Sequence, residues 1–225
     1  MDRQYAQTNG LRTGYIYAGL ESMNTPARLG LQMESNVVLP SVNSLQTSST
    51  LLSLYQGDKK SRPCLVMRID INRKTGQYEP IICIMGTFDG APRDSLARFY
   101  QFHIVPVFPN SAVRISDKFV LHTTPHWKTK KWPAWLVCSP YPATDSTITT
   151  LWRGSEGDGF HLDEDALRQL QWEAARRRKA WQTIMADPQN KRMLQDNFMY
   201  VHRRRVSARS YKGGKMNQVR KLDLR

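Results

Sequence analysis

The chain has 225 residues, of which 40% are hydrophobic and 10% aromatic, and it carries a formal net charge of +14 at pH 7. This composition excludes a chain that is disordered throughout, and the lack of any run of 18 apolar residues excludes an ordinary transmembrane helix. The strongly basic balance points to a polyanionic partner, nucleic acid first and an anionic membrane surface second.

In chain order, residues 1–58 come first and are rich in polar side chains, with three basic and four acidic residues. A strand is expected at 31–39, and the apolar run at 51–55 fits an edge strand or a helical turn. The Ser/Thr-rich stretch at 40–50 lies between them and is typical of a linker. We therefore predict that residues 1–58 form a polar N-terminal arm.

A two-residue hydrophobic period begins at Cys64 and predicts a half-buried strand over 64–71. Gly76 ends a loop that predicts a hairpin, and the returning strand is expected at 78–85. Turn signals separate further predicted strands at 99–108, 113–121, 134–138 and 147–152, and Pro106 indicates a sheet edge or a bulge. The pattern predicts a predominantly antiparallel β core over residues 59–155, a sandwich or a barrel.

Helical periodicity follows the glycine-rich stretch at 154–159. Asp163 is a suitable N-cap for a helix that ends near Ala186, and a second helix is expected at 189–201. Residues 156–201 are therefore a predicted helical region, and the fold class is α+β. Residues 202–225 hold nine basic residues and one acidic residue, with two adjacent glycines, and predict a flexible basic tail.

The basic tail is the first candidate for contact with nucleic acid. Guanidinium groups bind phosphate as planar forks, and neutralising several phosphates releases counterions. The alternatives are a nuclear-import signal, a solvated tail and a contact with acidic lipid. The tail residues expected to bind are Arg203, Arg204, Arg205, Arg209, Lys212 and Lys215.

The loop at 125–135 is the second candidate, because aromatic rings alternate with lysines. Bases can stack on the rings while ammonium groups follow the phosphates. Two other interpretations stay open, namely a membrane-interface loop, and tryptophans that pack into the sheet while the lysines face water. The loop residues expected to bind are Trp127, Lys128, Lys130, Lys131 and Trp132.

The long predicted helix supplies the third candidate, Arg176, which stands four residues after Trp172 and is expected to stack on it. Arg177 falls in the middle of the apolar face of the same helix. A charge there must meet a carboxylate, extend past the edge of the core or contact an anionic ligand.

The three cysteines, Cys64, Cys83 and Cys138, are an odd number at wide spacing, so we expect reduced, buried thiols and no bound metal or cofactor. The N-terminal residues lack the apolar stretch of a secretory signal. The expected compartment is the cytoplasm or the nucleus, with a virion as a further setting.

No sequence signature of a nucleotide-hydrolysing, serine-hydrolase or zinc-protease site occurs. We therefore expect a non-enzymatic nucleic-acid-binding structural protein of the coat, nucleocapsid or matrix type, or a ribonucleoprotein subunit. It should bind RNA rather than DNA and self-associate or enter a larger assembly. The alternatives are a nucleic-acid-processing enzyme whose site converges only in three dimensions, and a matrix protein on an anionic membrane.

Overall fold

A computed structural model describes residues 10–33, 60–110, 112, 117, 119–128, 132–143, 148–154 and 157–222, with side chains as far as residue 205. The elements are β1 (Ile16–Glu21), α1 (Asn24–Gly30), β2 (Lys60–Ile71), β3 (Tyr78–Gly86), α2 (Arg98–His103), β4 (Ile104–Pro106), β5 (Trp135–Val137), β6 (Tyr141–Pro142), β7 (Ile148–Leu151), α3 (Glu164–Met185) and α4 (Pro188–Leu222). Two 3-10 turns, Phe88–Gly90 and Arg93–Ser95, connect β3 to α2.

Within these ranges, seven strands form one antiparallel sheet in the order β4-β5-β3-β2-β1-β7, and β6 pairs with β3. The predicted α+β class, an antiparallel β core followed by C-terminal helices, is confirmed. The named strands form one continuous sheet with β4 and β7 at the two ends of its order, and isolated bridges join Val107 to Leu121, Thr124 to His161 and Tyr15 to His161. Pro106 lies in the edge strand β4, as the sequence indicated.

The β2–β3 hairpin follows directly from local sequence. The two strands pair from Cys64 opposite Ile84 to Ile71 opposite Tyr78, with one register shift between Val66 and Arg68. In the loop, the Asn72 side chain accepts hydrogen bonds from the backbone N–H groups of Lys74 and Thr75, and Gly76 has φ of +69°. A positive φ favours glycine, so the predicted hairpin is confirmed.

Strand β2 is buried on both faces over 64–67, which differs from the half-buried strand that the sequence predicted. Cys64 and Val66 belong to a first hydrophobic cluster on one face, and Leu65 and Met67 to a second cluster on the other. Helix α2 and much of α4 pack in the first cluster, and the N-terminal half of α3 packs in the second. Because both faces are covered, alternation of polar and apolar residues disappears where the strand is central.

The segment predicted as a strand over 99–108 is mostly helical, which corrects that prediction. Residues 98–103 form α2, and the strand β4 is confined to 104–106. Phe99, Tyr100 and His103 are buried, a spacing that places them on one side of a helix. In the segment 113–121, Leu121 makes an isolated parallel bridge to Val107, while residues 113–116 lie outside the described ranges.

The N-terminal segment contributes to the body of the fold, in contrast to the arm expected for 1–58. Strand β1 lies between β2 and β7, and Ile16, Ala27 and Leu31 are fully buried. Residues 34–59, which hold most of the predicted strand at 31–39 and the run at 51–55, lie outside the described part of the chain. The domain boundaries themselves remain a prediction.

Helices α3 and α4 pack against each other and against the sheet core. The Asp163 side chain accepts a hydrogen bond of 2.7 Å from the Ala166 N–H, which confirms the predicted N-cap. Helix α4 continues to Leu222, past the end expected near Val201. Its packed face extends at least to His202, whose ring lies 4.3 Å from that of Phe198. In the described ranges, no helix is both long and apolar enough to cross a membrane.

Candidate nucleic-acid interface

An exposed aromatic–arginine pair stands on helix α3. The Trp172 residue is 67% exposed, and the Arg176 guanidinium carbon lies 5.9 Å from the centre of its ring. The two residues are one helical turn apart, so the predicted stack is confirmed. With Phe119, Gln169 and Glu173 they line a cavity of about 390 Å³ that opens beside the indole. The pair presents an aromatic surface and a cation to any ligand that enters this cavity.

A second pair with the same spacing stands on helix α4. Tyr200 is 58% exposed, and the Arg204 guanidinium carbon lies 5.6 Å from its ring centre. Arg204 also donates a hydrogen bond of 3.3 Å to the Tyr200 hydroxyl. The sequence interpretation included Arg204 but missed Tyr200, although the four-residue spacing is the one that identified Trp172 and Arg176.

The buried Glu173 carboxylate organises the arginines of α3. Both its oxygens accept hydrogen bonds of 2.8 Å from Arg176, and Oε1 accepts a third of 2.6 Å from Arg177. Burial acts to raise the pKa of Glu173, but the hydrogen bonds from the two arginines outweigh it and lower that pKa. Arg177 also donates to the backbone carbonyl of Phe102. Of the possibilities left open for Arg177, the structure places it against a carboxylate.

The loop at 125–135 divides into packed and exposed rings. The Trp127 ring lies 4.8 Å from that of Phe160 and 6.3 Å from that of Trp152, beside the second hydrophobic cluster. Trp127 therefore packs into the body of the protein, as the alternative interpretation expected. Trp132 is 40% exposed and covers Gly90, where its ring fills the space that a Cβ would need. Lys128 is exposed, whereas Lys130 and Lys131 lie outside the described residues.

Three exposed rings in and beside this loop form a cluster that the sequence interpretation did not predict. Phe108 stacks on His122 at 4.8 Å with an interplanar angle of 23°, and His126 meets Phe108 edge-on at 5.7 Å. The bridge between Val107 and Leu121 brings the two segments together. No periodicity links Phe108 to His122, so only the tertiary pairing reveals this surface.

The start of the predicted tail is divided between surface and interior. Arg203 and Arg204 are exposed, but Arg205 is half-buried and donates a hydrogen bond of 3.1 Å to the Phe88 carbonyl. Burial lowers the pKa of Arg205. Arg205 thus fixes α4 to the 3-10 turn after β3 instead of facing a partner. The side chains of Arg209, Lys212 and Lys215 lie outside the described part.

The buried histidine His103 and the buried cysteines are neutral members of the core. Burial lowers the pKa of His103 to about 4 and raises the pKa values of Cys64 and Cys138 to about 12 each. A thiol with a raised pKa is a poor nucleophile. All three cysteines are free and buried, as predicted. Among the described residues, no group of three or more His, Cys, Asp or Glu side chains is arranged to hold a metal ion.

Comparisons with protein-family models, with curated proteins and with solved structures found no match for this chain.

Proposed function

We propose that the protein binds single-stranded nucleic acid, RNA rather than DNA, as a non-enzymatic structural component of a coat, nucleocapsid, matrix or ribonucleoprotein assembly. The observation that carries the proposal is the repeated exposed pair, Trp172 with Arg176 and Tyr200 with Arg204. Unstacked bases bind by stacking on aromatic rings and guanidinium planes, which suits single strands rather than a duplex.

The charge around these pairs supports the same conclusion. Residues 172–205 contain nine basic and three acidic side chains, so the C-terminal part of α3 and the described part of α4 carry a net positive charge. A polarised positive surface raises the local concentration of a polyanion and accelerates its association. The rings would then supply stacking contacts whose strength does not depend on salt concentration, and the cations would supply phosphate contacts whose strength does.

Paired charge-removing variants test the location of the interface. The variant R203Q/R204Q removes two exposed cations from α4, and R73Q/K74Q removes two exposed cations from the β2–β3 hairpin, so the net charge of the two variants is equal. Affinity for a labelled polyuridine strand should fall for the first variant and hold for the second. In a plot of log affinity against log salt concentration, each lost phosphate contact should make the slope less steep by about 0.7, so the loss of both contacts should make it less steep by about 1.4. Equal losses in the two variants would reduce the effect to overall charge and contradict the proposed interface.

Ring-removing variants test the stacking contribution separately. Replacing either Trp172 or Tyr200 by alanine should cost about 1–3 kcal/mol of binding free energy, which is about fivefold or more in affinity. Because both side chains are exposed, the melting temperature should change little. Unchanged affinity in both variants, or binding to anionic vesicles in place of the strand, would contradict the proposal and favour the membrane alternative.

The assembly part of the proposal has its own measurement. Native mass and the ratio of absorbance at 260 and 280 nm, taken on protein purified at low salt, should give a particle of several copies with bound nucleic acid. A nucleic-acid-free monomer at all concentrations would remove the structural role and leave a simple binding module.

A further inference from the structure

A cleft of about 590 Å³ lies near the start of β1, away from the two aromatic–arginine pairs on α3 and α4. The residues that line it come from 10–17, from 124–125, and from 151–153 together with 158–161. Its volume falls within the range of about 300–1,000 Å³ that is typical of small-molecule sites. The polar side chains used below are Arg12, Tyr15, Tyr17, Arg153, Asp158 and His161.

Flat groups are stacked in this cleft. The Arg12 guanidinium carbon lies 5.4 Å from the centre of the Tyr15 ring, and the Tyr15 and His161 rings are stacked at 5.0 Å with an interplanar angle of 22°. A planar heterocycle can extend such a stack, on an imidazole or on a guanidinium plane.

The walls are held by the backbone and are therefore preformed. Thr124 and His161 exchange two backbone hydrogen bonds of 2.8 Å each, and the Ile16 N–H donates to the Phe160 carbonyl at 2.9 Å. On the opposite wall, the Tyr17 hydroxyl accepts a hydrogen bond of 2.9 Å from the Arg12 N–H. Little conformational entropy would therefore be lost in these segments when a ligand binds.

The charges of the cleft suit a phosphorylated ligand that also carries hydroxyl groups. Arg12 and Arg153 are the cations of the cleft, and Asp158 is its anion. Arg153 is oriented by a hydrogen bond of 2.7 Å from one guanidinium nitrogen to the Gly157 carbonyl. A guanidinium binds phosphate, and a carboxylate accepts hydrogen bonds from ribose hydroxyls.

We propose that this cleft binds one ribonucleotide unit, with its base on the Arg12–Tyr15–His161 stack, its phosphate on Arg153 and its ribose hydroxyls on Asp158. The unit is either a free nucleotide or one nucleotide of a bound strand. Only the second source depends on the function proposed above.

Calorimetric titration with adenosine 5′-monophosphate tests the site. Saturable binding is expected, weaker for adenosine and for inorganic phosphate, each of which supplies only part of the contacts. The variants R153Q and H161L should each weaken it at least about fivefold, since each removes one contact of at least about 1 kcal/mol. The matched control R168Q removes an exposed cation of α3 and should bind like the natural chain. Neither cleft side chain belongs to the hydrophobic clusters, and each variant loses only local contacts, so both should stay folded with a small decrease in melting temperature.

The other outcomes are equally definite. Lack of saturable binding by the natural chain, or equal binding by R153Q and the control, would overturn the inference. Competition between the nucleotide and a polyuridine strand would identify the site as one nucleotide of the strand path, and simultaneous binding would identify a separate site for a free nucleotide. The variant R203Q/R204Q keeps the two proposals apart, because it should lose strand affinity while binding the mononucleotide normally.

Discussion

Replacing Glu173 by alanine removes the one carboxylate that two arginines of α3 share. The Glu173 and Arg177 side chains are 8% and 15% exposed, so the change leaves Arg177 between α3 and α2 with a backbone carbonyl as its remaining described partner. Removing one partner of a buried ion pair costs about 3–5 kcal/mol, because the other charge stays desolvated. Arg177 lies near the surface and can turn partly to water, so we expect a loss near the lower end, about 3 kcal/mol.

Equilibrium unfolding in urea, followed by tryptophan fluorescence, measures this loss as a lower midpoint at constant slope. The control D165A disrupts the exposed ion pair with Arg168 and should cost about 0–1 kcal/mol. The double variant E173A/R177M replaces the buried pair with apolar groups and should regain much of the stability, since such replacements are often neutral.

Two results would refute this reasoning. If E173A were no more destabilising than D165A, the carboxylate would not be holding a desolvated charge. If E173A/R177M were as unstable as E173A, the loss would come from the packing of Glu173 and not from the unpaired Arg177.

Three further predictions concern the core and its turns. Burial lowers the pKa of His103 to about 4, so the contribution of the neutral ring to the free energy of unfolding should be complete above about pH 6.5 and should fall by about 3 kcal/mol as the pH drops toward 4. The variant H103N should show a smaller dependence of the free energy of unfolding on pH over this range. Equal pH dependence in H103N and the natural chain would contradict this prediction. The variant W127A should lower the melting temperature and leave strand affinity unchanged, whereas the opposite pattern would restore the loop as a binding surface. Replacing Gly90 by alanine should destabilise the protein more than replacing Gly76 by alanine. Both glycines have positive φ, but only at Gly90 would the added Cβ meet the Trp132 ring. Equal urea midpoints for the two variants would disprove that contact.

Features decided by neighbours in the chain could be predicted from the sequence. The β2–β3 hairpin depends on a glycine with positive φ, and helix α3 on its Asp163 cap and its hydrophobic period. The stack of Arg176 on Trp172 needs only helical spacing. Each of these involves residues a few positions apart, where local geometry leaves few alternatives.

Features decided by tertiary pairing could not be predicted in the same way. The burial of Phe99 and Tyr100 suits a strand or a helix, and the local pattern does not decide between them. The place of β1 beside β2 and the stack of Tyr15 on His161 join distant parts of the chain, with no periodicity to connect them. Such a site becomes visible only when the backbone bridges that close it are known.

Helical phase then decides how many arginines of a consecutive run are available to a ligand. Successive residues of a helix point about 100° apart, so neighbours in a run cannot all face the same way. On α3, Arg177 turns inward to a carbonyl of α2 while Arg176 lies beside the exposed indole.

Helix α4 repeats this division. Arg205 turns inward to a carbonyl of the 3-10 turn after β3, while Arg203 and Arg204 remain at the surface. In each run at least one guanidinium donates to a backbone carbonyl outside its own helix: Arg177 and Arg178 on α3, and Arg205 on α4. The number of basic residues in the sequence therefore overstates the charge that is available to a polyanion. The inward arginines hold each helix in place, and the outward arginines form the surface that we propose for the nucleic-acid strand.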